Sequence, residues 1–177
     1  MIETERLILR RWEDRDRPTL RAQCDDPEVM RYLLPVADDA AFEAMLGRMS
    51  SWQESLGYTF WVMERRADGA VLGICGLKGG AADTPIENMV EIGWRLGRDH
   101  WGQGYAREAA QASLDWAWAN IDATEIVAIT VQANAASWGL MERLGMVRDI
   151  GGEFDHPLVP EGDPLRRHIL YRIARPT

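Results

Sequence analysis

The sequence predicts an α/β (α+β) fold: one mixed, mostly antiparallel sheet with helices on both faces, in the order β-α-α-β-β-β-α-β-α-β-β. Three observations carry that prediction. Helical patterns alternate with strand patterns over the second half of the chain, which requires crossovers and so at least one parallel strand pair. The three strand patterns between residues 58 and 96 follow one another without an intervening helix, as an antiparallel meander does. And 177 residues, 46% hydrophobic and 27% charged, suit one domain over 1–177 with a substantial core.

Leu7 to Trp12 reads as the first strand. Asp14 and Asp16 suit the start of a helix running to Cys24, with Pro18 in its first turn. Asp26-Pro27-Glu28 opens a second, short helical piece. Asp38 or Asp39 then caps a longer helix whose apolar residues Phe42, Met45, Met49, Trp52 and Leu56 step by three and four along one face, with Gly57 as its stop. Tyr58 to Glu64 is a strand, Asp68-Gly69 a hairpin signal and Val71 to Leu77 the returning strand. Glu87 to Leu96 follows, with Val90, Ile92, Trp94 and Leu96 on one face and Glu91, Gly93 and Arg95 on the other. A helix rich in alanine runs to Asn120, with Ala106, Ala110, Ser113 or Leu114, and Ala117 as a smooth stripe. Ile126 to Gln132 is apolar nearly throughout, as a buried strand is. Asn134 caps a helix from Ala135 to Leu144, closed by Gly145 and Met146 in a Schellman-like end. Met146 to Phe154 reads as a strand, Asp155 to Arg166 as a long loop, and His168 to Ile173 as the last strand.

The formal charge of −8 argues against nonspecific DNA or RNA binding, which draws on a cationic surface. Net acidity also simply keeps a protein in solution. Cys24 and Cys75 have neither metal-like nor CxxC spacing, so reduced core thiols are expected rather than a disulfide framework. His100, His156 and His168 lack zinc spacing, and no metal is expected. No apolar run approaches the roughly 20 residues of a membrane span. Met1 to Asp16 holds no apolar signal region, so a cytoplasmic protein is expected.

The segment Trp101-Gly102-Gln103-Gly104-Tyr105-Ala106 stands between a strand and a helix. Backbone N–H groups converge at such a helix N-terminus, the helix dipole favours negative charge, and glycines let an anion approach closely. A phosphate-bearing ligand fits there. By spacing alone, an ordinary strand-to-helix turn fits equally well.

Taken together, Thr4 to Arg10, Asp26 to Met30, Trp101 to Ala106, Asn134-Ala135-Ala136-Ser137 and Leu144-Gly145-Met146 resemble the GNAT acetyltransferase superfamily, in its branch of ribosomal-protein N-terminal acetyltransferases and relatives. The resemblance spans nearly the whole chain. It implies acetyl-CoA as co-substrate, with N–H groups of about Gln103 to Arg107 on its pyrophosphate. Trp101 stands first in the motif, where the wider superfamily has Gln or Arg, and resembles this branch's usual residue. Gly104 and Ala106 match the motif's fourth and sixth positions. It also implies a splayed sheet beside Trp94 and Leu96, whose unpaired backbone groups would bond the pantetheine arm. Their side chains suit the core, and Tyr105 suits packing.

Acetyl transfer to an amine needs a proton acceptor for the ammonium, a donor for the developing oxyanion and help for the departing thiolate. Seven residues after Asn134, where the wider superfamily often has a tyrosine acid, stands Met141. Ser137 resembles the branch's alternative, a hydroxyl bonded to the sulfur. It also suits N3 of a helix capped by Asn134, which would itself bond the pantetheine arm as well. Glu91 is the first candidate base, although a solvated carboxylate or a partner of Arg95 suits the position too. His156 and Asp155 follow it. The resemblance implies an amine acceptor, either a peptide N-terminus or a small amine, in a groove of the first two helices and the loop from Asp155 to Arg166. That loop and its approach are acidic enough to attract a cation. Two further readings stand beside this one: a non-catalytic acetyl-CoA-binding module, and a nucleotide-binding protein, which lacks a Gly-Lys-Ser/Thr sequence. No membrane partner is expected, and a homodimer is compatible with the sequence without any residue locating its interface.

Overall fold

In a computed structural model describing residues 1–177, nine strands make one sheet. They are β1 (Ile2–Glu3), β2 (Leu7–Arg10), β3 (Phe60–Arg65), β4 (Val71–Gly79), β5 (Val90–Leu96), β6 (Glu125–Val131), β7 (Val147–Arg148), β8 (Phe154–Asp155) and β9 (Arg167–Ala174). Their order is β1-β2-β3-β4-β5-β6-β9-β7, with β8 paired to β9. Every pairing is antiparallel except β5–β6, the parallel pair that the crossover through residues 105–120 requires. Five α-helices complete the chain: α1 (Arg17–Asp25), α2 (Pro27–Met30), α3 (Asp39–Leu56), α4 (Tyr105–Asn120) and α5 (Ala135–Arg143).

Strand alternation sends the sheet's side chains into two cores. Met63, Cys75, Leu77, Ile92, Ile126 and Ala128 pack with Ala109, Ala110, Leu114 and Ala117 of α4 and with Leu140 and Met141 of α5. On the other face, Val62 and Ile74 pack with Leu20, Phe42, Leu46 and Met49 of α1 and α3. Each fully buried leucine here contributes on the order of 1.5–3 kcal/mol. The small residues of α4 let it lie close against the sheet.

Several expected boundaries move, each for a local reason. The first strand stops at Arg10 rather than Trp12. The Arg10 guanidinium pairs with Asp16, whose Oδ2 also accepts the Glu13 N–H at 2.7 Å, turning the chain into a short 3₁₀ helix over Asp14–Asp16. The buried face of α3 is Phe42-Leu46-Met49, while Leu56 lies past the edge of that core and is 43% exposed. β5 begins at Val90 rather than Glu87, because residues 87–89 turn: the Met89 N–H donates to Ile86 O. The strand expected over Met146–Phe154 breaks into β7 and β8, with Asp149–Gly151 turning between them. α5 ends as expected, with Met146 N–H to Met141 O and Gly145 N–H to Glu142 O, both 3.0 Å.

Asp38 caps α3, its side chain accepting the Ala41 N–H at 2.8 Å. Asp38→Ala is expected to cost about 1 kcal/mol. For a chain of this size that lowers Tm by roughly 2–4 °C in a calorimetric scan.

Candidate active site

The pairing of β5 changes along its length. Against β4 it is continuous from Val90↔Gly79 to Leu96↔Gly73. Against β6 it consists of Val90↔Ile126 and Glu91↔Val127, and beyond that point the two strands part. Gly80 N–H donates to Met89 O and Gly97 N–H to Leu72 O, which sets the ladder's alternation: odd residues of β5 bond β4, and even residues face away. The backbone N–H and C=O of Trp94 and the N–H of Leu96 therefore open into the split. The Leu96 carbonyl is the exception, accepting the Trp101 indole N–H at 2.9 Å. Leu96 buries its side chain in the α4-side core, and Trp94 packs half-buried against it. The split sheet beside Trp94 and Leu96, expected from the resemblance, is thus present in the strand pairing.

The chain leaves β5 through a 3₁₀ turn, Arg98–His100, and enters α4 through Trp101 to Gly104. Gly102 and Gly104 have φ of 71° and 82°, a region that a side chain disfavours. That geometry turns the N–H groups of Gly102, Gln103, Gly104, Tyr105, Ala106 and Arg107 outward, and none of them donates to a protein acceptor; the first helical bond is Glu108 N–H to Gly104 O. Residues 101–104 and Arg107 are exposed.

Arg6 holds this cradle from the N-terminal segment. Its Nη1 donates to Gln103 O at 3.0 Å, its Nε to Glu108 Oε2 at 2.6 Å, and its guanidinium lies 4.5 Å from the centre of the Tyr105 ring. Thr4 Oγ1 donates to the same glutamate at 2.6 Å. Tyr105 is buried, in the packing role expected of it. Gln103 ties the turn to its start through Nε2 and Asp99 O at 2.8 Å.

Asn134 follows the far lip of the split, its N–H donating to Val131 O at 3.0 Å. Its Oδ1 accepts the Ser137 N–H at 3.3 Å, and its Nδ2 donates to the buried Thr130 hydroxyl at 3.1 Å. The Ser137 hydroxyl is half-buried and makes no hydrogen bond to the protein. Met141 is 1% exposed, packed into the α4-side core.

Glu91 sits on the last paired rung before the split. It is buried, and Lys78, directly opposite on β4, donates to its Oε2. Burial pushes the Glu91 carboxyl above its ordinary range, and the Lys78 ammonium opposes that rise. Arg95, the partner weighed from sequence, makes no ion pair with it. The two side chains lie four residues apart along one strand face, whereas the β4–β5 register puts Lys78 opposite Glu91.

His156 and His168 have ring centres 5.1 Å apart, flanked by Phe154. Burial lowers the His156 pKa, with the charges of His168 and then Lys78 adding to the effect. Its Nδ1 accepts the Leu158 N–H at 3.3 Å. Asp155 points instead to Arg166 and Arg167, each at 3.3 Å.

Sequence reasoning missed Lys78, Arg6 and Thr130 as parts of this arrangement. Arg6 lies within the stretch Thr4 to Arg10 that carries the resemblance, but its reach to Gln103 and Glu108 spans about a hundred residues and no local pattern reports it. The pairing of Lys78 depends on strand register.

Residues 6–147 match the family described as Acetyltransferase (GNAT) domain. YkkB, an uncharacterized protein of Bacillus subtilis (strain 168), is 34% identical over 146 residues, covering 81% of this chain and 83% of that one. The acetyltransferase from Agrobacterium tumefaciens str. C58 superposes with a TM-score of 0.79 at 27% identity, over 97% of this chain and 92% of that one. The spermidine N-acetyltransferase from Vibrio cholerae, solved in complex with CoA and spermine, shares the fold at a TM-score of 0.74 and 17% identity, with 97% of each chain covered. A split strand pair, an N–H cradle at a helix start and a match of this extent lead to one conclusion: the chain belongs to the GNAT acetyltransferase family and is an acetyltransferase.

Proposed function

We propose that the chain, as one domain over 1–177, moves the acetyl group of acetyl-CoA to a primary amine, a peptide N-terminus or a small amine, by direct attack in a ternary complex. The observation that carries this reading is the cradle of outward N–H groups at Gly102–Arg107 leading directly to the unpaired edge of Trp94 and Leu96. Phosphates suit the first and a strand-like polyamide arm the second. The CoA held by the Vibrio cholerae spermidine N-acetyltransferase is consistent with that pairing.

In this reading Gln103 to Arg107 would hold the pyrophosphate, with Gly102 and Gly104 keeping the approach clear and Trp101 fixing the turn to the end of β5. Trp94 and Leu96 would bond the pantetheine arm, joined by the second Nδ2 hydrogen of Asn134. The thioester then reaches the closed end of the split, beside Glu91. Oε2 of Glu91 is engaged by Lys78, and Oε1 makes no hydrogen bond to the protein, so Oε1 is the atom assigned to take the amine proton, directly or through a water. The Lys78 charge also disfavours an incoming ammonium and so lowers the acceptor's own pKa. The amine attacks the thioester carbonyl, the C–S bond breaks, and the Ser137 hydroxyl hydrogen-bonds the departing sulfur. A hydroxyl's high pKa suits that hydrogen bond better than full proton transfer.

Met141 lies in the core, so its lack of a proton counts little against catalysis, and the non-catalytic reading loses its motive. The branch of ribosomal-protein N-terminal acetyltransferases and relatives remains our reading of Thr4 to Arg10 and Trp101 to Ala106, and a cytoplasmic location is part of the same proposal. No helix is long and apolar enough to cross a membrane.

The test is free thiol released from acetyl-CoA across a panel of amines that includes short peptides. Acetyl-CoA binding by calorimetry with no thiol release from any amine would overturn the reading. Ser137→Ala is expected to lower kcat several-fold, on the scale of one lost hydrogen bond, with acetyl-CoA affinity nearly unchanged. Unaltered kcat on a good acceptor would remove the serine from the mechanism.

A further inference from the structure

Four charged residues are buried in this protein: Arg10, Asp16, Glu91 and Arg95. The first two pair with each other and Glu91 pairs with Lys78. Arg95, 8% exposed, makes no ion pair, and its Nε and Nη2 have no hydrogen-bond partner. Its Nη1 faces two thioethers, Met30 Sδ at 3.9 Å on α2 and Met45 Sδ at 3.7 Å on α3. Burial pushes the guanidinium pKa down. The nearby Cys24 thiol of α1 opposes that fall. Guanidinium groups stay protonated in proteins. A buried, unpaired cation is among the most destabilising features a core can hold, and a fold that keeps one has a use for it.

Arg95 lies on the same face of β5 as Glu91 and Gly93, four residues or on the order of 13 Å along the strand from the base. Between them Gly93 has no side chain, and the Phe60 ring lies against it, 3.1 Å from where a Cβ would stand. This face thus runs from a proton acceptor, past an apolar floor, to an unpaired cation, along the strand whose free edge borders the split. The loop that follows α2 carries two exposed leucines, Leu33 at 37% and Leu34 at 41%, immediately beyond Met30. These are apolar groups available to cover a molecule seated on that floor.

We propose that Arg95 binds a carboxylate of the amine acceptor, making the acceptor an amino-acid- to dipeptide-sized amine with a free carboxylate. The proposal rests on the transfer reading above and narrows it to an anionic acceptor class, opposite to the cation suggested by the acidic loop at Asp155. A planar guanidinium presents paired N–H donors that match a carboxylate's two oxygens. The orphan Nε and Nη2 are adjacent atoms of one such fork; both are closed to solvent, so the neighbouring side chains must shift to admit the carboxylate.

The experiment compares each amine as its free carboxylic acid and as its carboxamide. In the unaltered protein, kcat/KM for the acid is expected to exceed that for the amide by roughly 10–100-fold, mostly through KM, as one buried charged hydrogen-bond pair implies. In Arg95→Gln and Arg95→Met the two forms are expected to react equally, with acetyl-CoA affinity unchanged, and Arg95→Lys is expected to restore part of the preference. Indifference in the unaltered protein, a preference that survives Arg95→Gln, or a loss of acetyl-CoA binding in the variants would overturn the proposal. A second measurement needs no turnover: in the presence of CoA, N-acetyl amino acids, but not their amides, are expected to raise Tm of the unaltered protein and not of Arg95→Met. That shift would stand even if no amine released thiol, so failure of the transfer reading and failure of this one are separable. Without ligand, Arg95→Met is expected to be at least as heat-stable as the unaltered protein, because it replaces an unpaired charge among apolar neighbours. A clear fall in Tm would assign the guanidinium a structural role instead.

Discussion

Glu91→Gln is expected to lower kcat by about a hundredfold or more, within the 10²–10⁴ range for loss of a general base, while the Kd for acetyl-CoA stays where it was. The amide keeps the size of the side chain and can still accept from Lys78, but it takes no proton. The pH profile supplies a second readout. Burial raises the Glu91 pKa above the ordinary value of 4.5, so the base form is present at high pH and lost as pH falls through the raised value. The acid limb of kcat/KM is therefore expected above pH 4.5, and it disappears in Glu91→Gln. Lys78→Met removes the charge that opposes the rise, so the limb is expected to move to still higher pH. A limb that stays in place in Lys78→Met, with normal kcat in Glu91→Gln, would pass the base role to His156. The lowered pKa of His156 keeps that residue neutral, and so basic, at neutral pH.

Gly104→Val is expected to weaken acetyl-CoA binding by roughly a hundredfold in calorimetry, a loss of about 2.7 kcal/mol. Two effects add. With φ at 82°, Gly104 occupies a left-handed conformation that a β-branched residue adopts only at a cost of about 1–3 kcal/mol, so the turn shifts and the outward N–H groups lose their common aim. The new side chain also stands at the mouth of the cradle, where a Cβ already lies 3.3 Å from Arg6 Nη2, and disturbs the clamp on Gln103 and Glu108. The expected clash is therefore with the arginine that organises the turn as well as with the ligand. Wild-type affinity in this variant would remove the phosphate-cradle assignment.

Both results concern residues visible in the sequence, but for different reasons. The cradle was legible because its determinants are local: a strand, two glycines and an alanine-rich helix start within a dozen residues, and each property follows from its own backbone. The helix caps at Asp38 and Asn134 and the Schellman end at Gly145 were legible on the same ground, because a cap bonds residues two to five positions away. Leu56 shares the apolar spacing of α3 yet is exposed, because periodicity reports which side of a helix is apolar, not where the partner sheet ends. The break between β7 and β8 was marked by Gly151-Gly152, a turn signal that the reading of Met146 to Phe154 as one strand passed over.

The amino-acid order by itself determined the alternation of strands and helices, the crossovers that require at least one parallel pair, and the glycine turn at the start of the long alanine-rich helix. The partners of the charged groups were decided only by tertiary structure. Register across β4 and β5 brought Lys78 to Glu91 and left Arg95 without a counter-charge, and chain folding brought Arg6 to Gln103 and Glu108. Backbone conformation is set by neighbours in sequence, whereas a buried charge acquires its pKa, its partner or its lack of one from groups that only folding brings within a few ångströms.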